Sequence, residues 1–433
     1  MTAEVDRAVQ AAAAAAPGWR RLASFDRGRV LMSIARRLVA EIEELTELEC
    51  AETGKPPALA EAEIRGAAEY FEFYASLVHL PAGDVLDVRP DLHVYTVREP
   101  YGVVCVITPW NLPLNQAARA VAPALAAGNV VVVKPAESTS RTTVALARLA
   151  AEEGLPAGVL NVVVGPGSTV GTAIVEHPLV RKVAFTGSVP VGQHIGRIAA
   201  ERILPLTLEL GGKSANIVFA DADLAWAATE AVRAFTTNAG QVCSSGTRLL
   251  VERPIHDEFV AAVASAVTQV RPGENLGPMI TDKQFDTVRH YFEVARSEGA
   301  QAVVGGTVAT GRYVEPTVYT GVTNDMTIAR EEIFGPVLVV IPFDTEAEAI
   351  RIANDSDYGL VGGVFTADIS RAFRVAHAIE AGQVYVNSWS TQSVQMPFGG
   401  HKASGYGREK GIEALHHYSQ VKSISVRIDR GAG

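Results

Sequence analysis

Between Gly102 and Ala200 the chain repeats one beat: a short apolar run, a break, then a stretch with helical spacing. The runs are "GVVCVIT", "NVVVVKP", "NVVVG" and "KVAFTGS". Between them lie "NQAARAVAPALAAG", "TTVALARLAAEEG" and a shorter helical piece, and a further helix follows the fourth run. Strands this apolar are buried on both faces, and their alternation with helices calls for a parallel sheet with right-handed crossovers. A doubly wound, nucleotide-binding type of domain is the natural inference, with ligands expected beyond the carboxyl ends of its strands.

A second α/β series starts at "SANIVFADADL" and runs through "YVEPTVYTGV", "VLVVIPFD" and "VFTADISRAFRVAHAI". At 433 residues the chain exceeds one simple core, so more than one domain is expected. Ahead of the first beat, Leu31, Ile34, Leu38, Ile42 and Leu45 recur three or four apart, which predicts one apolar helix face from Asp26 to Gly54 with Cys50 in the core. A second helix is expected around "AEAEIRGAAEYFEFYASLV". Alternation from Val85 to Val97 then predicts an extended ribbon, and "VKSISVRI" a final strand that pairs with another element or another chain.

Apolar residues at 48% and charged residues at 20% describe an ordinary globular protein. A net charge of −10 argues against nucleic acid or an anionic membrane surface as partner. Cys50, Cys105 and Cys243 are too few and too scattered for a disulfide framework and fit a reducing compartment. The N-terminus carries acids where a signal peptide needs bases, Pro17 interrupts its alanine run, and no apolar stretch reaches membrane-spanning length. A cytoplasmic location is the expectation.

The chemistry concentrates in a few short stretches. In "FTTNAGQVCSSGTR" Cys243 is surrounded by Gly240, Ser244, Ser245 and Gly246, small residues that suit a site admitting a substrate. Inert packing is the competing reading of any single cysteine. A nucleophilic thiol needs an oxyanion stabiliser and a group to resolve its adduct. Glu209 in "LELGGKSAN" sits between leucines at the end of an apolar run, where desolvation raises a carboxyl group toward the range of a general base; a strand-end glutamate reaching water is the alternative. Asn111 in "TPWNLPL" follows a buried strand and can donate its side-chain NH2 to an alkoxide, or simply form a turn.

In "FTGSVPVG" a strand ends at Phe185, Gly187 allows close approach, and Ser188 opens a helix whose N-terminus favours an anion such as pyrophosphate. "GPGSTVG" misses the spaced glycine fingerprint. Lys134 and Glu137 of "KPAE" form a candidate ribose-binding pair at another strand end. No motif suggests a metal, and His416 and His417 read as solvated.

Together these stretches resemble the aldehyde dehydrogenase superfamily. The similarity runs from about Val5 to the C-terminus through "PWN", "KPAE", "FTGSxxxG", "LELGGK", "FxxNxGQxC", "EEIFGPV" and "PFGGxKxSGxGRE", seven motifs in family order. It implies an α/β fold of two doubly wound parallel-sheet domains, cofactor and catalytic, plus a β-ribbon oligomerisation element. Residues 1–82 and 101–210 would bind NAD, with NADP the alternative. Residues 211–403 would form the catalytic domain, 404–417 would return to the cofactor domain, and 83–100 with 418–433 would supply the oligomerisation strands of a homodimer or homotetramer.

The implied reaction is oxidation of a small aldehyde to its acid. Cys243 would attack the aldehyde, Asn111 and the Cys243 backbone N–H would hold the oxyanion, and Glu209 would activate the water that hydrolyses the thioester. Trp110 and Ser188 would meet the pyrophosphate of the cofactor, Thr108 and Gly187 would also contact the cofactor, Lys134 and Glu137 would meet the adenosine ribose, and Gln284 would make a further ribose contact. Leu210, Glu332 and Phe334 would meet the nicotinamide end. Leu112, Arg119, Val242, Ser244 and Phe398 are the candidate substrate residues.

The chain departs from the family pattern in three places. It begins where many members already have an N-terminal strand segment, "VTQVRPGENLGPM" is a shorter connection than usual, and Arg119 and Ala120 stand where many members carry Trp and Lys. A proton-relay lysine that could partner Glu409 is therefore absent. Arg119 follows Asn111 by about two helical turns, a placement that suits a clamp on the carboxylate of an acidic semialdehyde. Helix capping, an ion pair at an interface and aromatic-aldehyde specificity fit it equally, and Thr237 is not the second arginine such semialdehyde enzymes often show. Two alternatives stand beside hydrolytic oxidation: a CoA-acylating semialdehyde dehydrogenase, which Glu209 disfavours, and a scaffold that keeps the fold without activity.

Overall fold

The computed structural model describes residues 2–80, 82–308, 311–389 and 393–428. Met1 and Pro81 of the expected cofactor segment, 309–310 and 390–392 of the expected catalytic segment, and 429–433 of the expected tail lie outside the described residues.

Four helices open the chain: Ala3–Arg21, Ser24–Ala40, Ile42–Thr53 and Pro57–Ser76. The first continues through Pro17, because Val5, Val9, Ala12 and Trp19 bury one face along its whole length. The single face expected from Asp26 to Gly54 is divided at Glu41, whose φ/ψ of −98°/20° separates two helices. Leu31, Ile34, Leu38 and Leu45 are nevertheless buried. Cys50, expected in the core, is only half-buried; the fully buried member of its turn is Glu49.

The repeated beat forms a six-stranded sheet in the order Gly405–Tyr406, Leu206–Glu209, Val180–Thr186, Val103–Ile107, Val130–Lys134, Leu160–Val162. All neighbours are parallel except Gly405–Tyr406, where the chain returns to this sheet as an antiparallel edge. The chain lays down one half of the sheet outward from Val103–Ile107, then crosses to build the other half beginning with Val180–Thr186. The order therefore reverses between those two strands, and their carboxyl ends flank a crevice.

The second series forms a seven-stranded sheet in the order Gln301–Val304, Thr317–Thr320, Val337–Phe343, Arg248–Glu252, Ala215–Val218, Val361–Phe365, Gln383–Val386. Only the first pair is antiparallel. Separate apolar clusters cover its two faces, one containing Ile217, Val339 and Val364 and the other Val218, Leu338 and Val340. Residues adjacent along these strands go to opposite clusters, as the pleat requires.

A third sheet stands apart. Val85–Leu86 and Ser419–Arg427 flank Leu92–Pro100, and the tail strand pairs antiparallel with Leu92–Pro100 from Ser419↔Pro100 to Arg427↔Leu92. The unpartnered strand of the sequence thus finds its partner within the same chain. No helix among the described residues is long and apolar enough to cross a membrane.

Candidate active site

The crevice at the reversal of strand order collects the first functional side chains. Thr108, Trp110 and Asn111 follow Val103–Ile107, and Gly187 and Ser188 follow Val180–Thr186. Ser188 is the N-cap of the helix Val189–Arg202, yet its side chain makes no capping hydrogen bond, so the first-turn N–H groups face the crevice without that partner. Four residues on, Gly192 brings this helix against the adjoining segment: a Cβ there would lie 2.7 Å from Leu210 Cδ2.

A cavity of about 650 Å³ runs from this helix end to Cys243, Gln284 and Phe334. Its lining includes Asn111, Glu209 and Cys243 together with Thr108, Trp110, Lys134, Glu137, Gly187, Ser188, Leu210, Gln284, Glu332 and Phe334. Gln116, Gly167, Thr281, Lys283 and Thr287 also line it. Sequence reasoning passed over these because each comes from a helix end or loop whose facing partner is distant in the chain. The glycine-rich turn at Gly167 was the one available signal.

The wall that carries Cys243 is built by an unusual backbone. Asn238, Ala239 and Gly240 have φ of 51°, 54° and 71°, three consecutive left-handed residues just before Cys243. Gly240 is required there, since a Cβ would lie 2.1 Å from the Gly335 carbonyl oxygen. Gly246 packs against the Trp389 ring, with a notional Cβ 2.8 Å from its nearest atom. These two glycines therefore serve close packing rather than substrate access. Cys243 is half-buried, and burial pushes its thiol up to about 11 against the opposing pull of Arg119.

Asn111 is buried and firmly held. Its Nδ2 donates to the Gln241 carbonyl at 2.8 Å, while its own carbonyl accepts from Lys55 Nζ at 3.0 Å and Asn238 Nδ2 at 3.1 Å. Both carboxylate oxygens of Glu209 are buried without a hydrogen-bond partner among the described residues. Burial pushes this carboxyl well above the usual range, the Glu409 charge adds to the shift, and Arg119 opposes it. A carboxyl in that state is suited to taking a proton.

Arg119 does not line the cavity. Its guanidinium pairs with buried Glu409 and lies over the Phe398 ring, 5.2 Å from the centroid. The expected clamp on a substrate carboxylate therefore gives way to an internal ion pair, since a buried guanidinium needs its partner more than a buried alkyl chain would. Lys410, which sequence reasoning missed, lies over Phe398 at 5.3 Å and over Tyr70 at 5.9 Å. Burial and the nearby Arg119 lower its ammonium to about 7. Its signal was the residue after "GRE". Phe398 belongs to a small apolar cluster against which Cys243 packs. Leu112 and Val242 are half-buried, Ser244 is buried, and none of the three lines the cavity. His416 and His417, expected in solvent, are half-buried on the helix Gly411–His417.

At the far wall Glu332 accepts from Gly212 N at 3.1 Å, and burial pushes its carboxyl up to about 7. Gly211 has room for no side chain, because a Cβ would meet Glu332 Oε2 at 2.2 Å. Phe334, at φ 55°, sets its ring edge-on to Trp110 with centroids 5.4 Å apart. Gln284 Nε2 donates to the carbonyls of Ile333 and Phe334 at 2.8 and 3.0 Å, so its amide NH2 braces that loop. Lys134 Nζ donates to the Pro135 carbonyl, and Glu137 is exposed at the rim. Among the described residues no cluster of His, Cys, Asp and Glu could hold a metal ion.

Similarity to known proteins agrees with this geometry. The model of the aldehyde dehydrogenase family matches residues 1–424. An indole-3-acetaldehyde dehydrogenase mutant of P. syringae, solved with NAD+ and IAA, superposes with a TM-score of 0.97 at 42% identity, covering 98% of this chain and 89% of that one. Betaine aldehyde dehydrogenase from Staphylococcus aureus, solved with NAD+, gives 0.96 at 39% identity over 99% and 88% of the two chains. An NAD-dependent aldehyde dehydrogenase from Sinorhizobium meliloti gives 0.97 at 40% over 99% and 88%. With Cys243, Glu209 and Asn111 on one cavity and a family match across nearly its whole length, this chain belongs to the aldehyde dehydrogenase family.

Proposed function

We propose that the chain oxidises an aldehyde to a carboxylic acid with NAD, using Cys243 as nucleophile, Asn111 as oxyanion donor and Glu209 as base. The observation that carries this reading is the single cavity shared by those three residues and by the uncapped helix end at Ser188. The cavity suits a dinucleotide: a helix N-terminus for its phosphates, glycines at 187 and 211 where a side chain would collide, and an aromatic pair at Trp110 and Phe334. Glu137 at the rim disfavours the extra phosphate of NADP, although Lys134 beside it pulls the other way. NAD, when bound, supplies the acceptor for the hydride that leaves the aldehyde carbon.

The chain's own residues carry the rest. The Cys243 thiol must first lose its proton, which leaves to solvent through the cavity. As Sγ bonds to the carbonyl carbon, the oxygen becomes an alkoxide. The Asn111 Nδ2 hydrogen not engaged by Gln241 can hold that alkoxide, with the Cys243 backbone N–H as second donor. Loss of hydride from carbon restores the carbonyl as a thioester on Cys243. Glu209 then takes a proton from water, whose oxygen attacks the thioester, and the acid leaves as Sγ regains a proton.

Cys243→Ala is expected to abolish steady-state turnover of an aldehyde panel while NAD still binds by calorimetry. Glu209→Gln is expected to give a single burst of nicotinamide reduction followed by a stalled thioester. Full turnover in Cys243→Ala would overturn the proposal, and undiminished steady-state turnover in Glu209→Gln would remove that residue from it.

The three-stranded sheet supports assembly as a homodimer or homotetramer. Its outer strand Ser419–Arg427 leaves Val421 and Val426 exposed, and one edge of that strand is unpaired among the described residues. A reducing compartment such as the cytoplasm suits an enzyme whose three cysteines are all free.

A further inference from the structure

The carbonyl of Asn111 lies just before the helix Pro113–Ala126 and outside its hydrogen-bond ladder, whose first acceptor is the Leu112 carbonyl bound by Gln116 N. It is held instead by two side chains from distant parts of the chain, Asn238 Nδ2 and Lys55 Nζ. Lys55 comes from the turn between the helices Ile42–Thr53 and Pro57–Ser76, far in sequence from every residue of the reaction. Its side chain is 1% exposed, donates to Glu63 Oε2 at 2.6 Å, and has Glu49 Oε1 at 3.6 Å.

An ammonium buried between two carboxyl groups has one place to sit, and its third direction ends on Asn111. Burial, with Glu49 nearby, pushes the Glu63 carboxyl upward against the pull of Lys55. The turn itself is pressed onto the catalytic wall. Gly54, at φ 70°, has Pro278 Cγ 2.7 Å from where a Cβ would stand, and Pro278 in turn accepts from Gln241 Nε2 at 3.2 Å. Gln241 Oε1 also accepts from Ile280 N at 2.9 Å, and the Gln241 carbonyl is the acceptor that orients the Asn111 side-chain amide. Lys55 thus fixes one end of the Asn111 residue while the elements packed against its turn fix the other.

We propose that Lys55 is a positioning residue for oxyanion stabilisation: it holds the Asn111 main chain so that the side-chain NH2 points at the developing alkoxide. This rests on the role proposed above for Asn111. A displacement of about 1 Å in such a donor costs on the order of a hundredfold in rate.

The test uses the full chain with saturating NAD and the fastest wild-type substrate among indole-3-acetaldehyde, betaine aldehyde and acetaldehyde. Lys55→Met is expected to lower kcat about a hundredfold with KM and the NAD dissociation constant within about twofold. Because that substitution leaves two carboxyl groups buried together, Lys55→Met/Glu49→Gln/Glu63→Gln is made alongside it to keep the fold. This triple variant is expected to show the same loss of kcat. In an Asn111→Ala background the Lys55 substitutions are expected to cost nothing further, since residues acting through one another are not additive. Wild-type kcat in the triple variant, or losses that multiply with that of Asn111→Ala, would overturn the role of Lys55 alone. Wild-type turnover in Asn111→Ala itself would overturn the oxyanion assignment first, and this inference with it.

Discussion

Arg119 shows how much one side chain depends on its surroundings. Its identity and its spacing from Asn111 were legible, but the same spacing served a substrate clamp, a cap or an ion pair. Only the return of the chain at Gly405–Tyr406, followed by Glu409, supplies the partner that decides between them. The pair also tunes the site. Arg119 pulls both the Cys243 thiol and the Glu209 carboxyl downward, whereas Glu409 pushes Glu209 upward. Activity that needs both groups deprotonated rises with pH through their pKa values. Arg119→Met should therefore move the acidic limb of kcat/KM to higher pH, and Glu409→Gln should move the Glu209-dependent part of kcat to lower pH. Each breaks a buried pair and is expected to cost about 3–5 kcal/mol of stability. Limbs that coincide with wild type in both variants would show that the pair does not act on the site.

At the level of elements, apolar runs bounded by glycine or proline were enough to locate the parallel strands, because burial on both faces leaves little sequence freedom. The helix Val189–Arg202 was equally legible from Ser188 and the strand before it. What spacing could not show was why Gly192 belongs there. It sits where the helix touches Leu210, so Gly192→Val would force apart the two elements that present Ser188 and Glu209 to the cavity. The expected cost is about 1–3 kcal/mol of stability by overpacking, together with about two- to tenfold weaker NAD binding, the equivalent of roughly half of that free energy. Thermal unfolding and calorimetric titration measure the two effects, and unchanged NAD affinity would separate the packing from the site. The opposite failure of spacing occurs at Glu41. An uninterrupted apolar spacing crosses that position, yet one helix ends there and another begins, because Glu41 leaves helical φ/ψ while the three-to-four periodicity carries on into the next helix.

For the whole molecule, the open edge of the three-stranded sheet leads to the expectation of a dimer or tetramer by sedimentation at micromolar concentration; a monomer would contradict it. The tail strand also shows the limit of reading along the chain. "VKSISVRI" announces an extended segment, but its partner Leu92–Pro100 lies more than three hundred residues earlier, and no local pattern carries that information. The sequence by itself determined the alternating architecture, the family and the chemical types at Cys243, Glu209 and Asn111, since each depends on residue type and short-range spacing. Tertiary structure alone decided that Arg119 answers Glu409, that Gln284 braces the Phe334 loop, and that Lys55 ends on the Asn111 carbonyl. Those outcomes depend on burial, which makes every charge and donor find a partner, and the available partner is set by which distant segments the folded chain brings together.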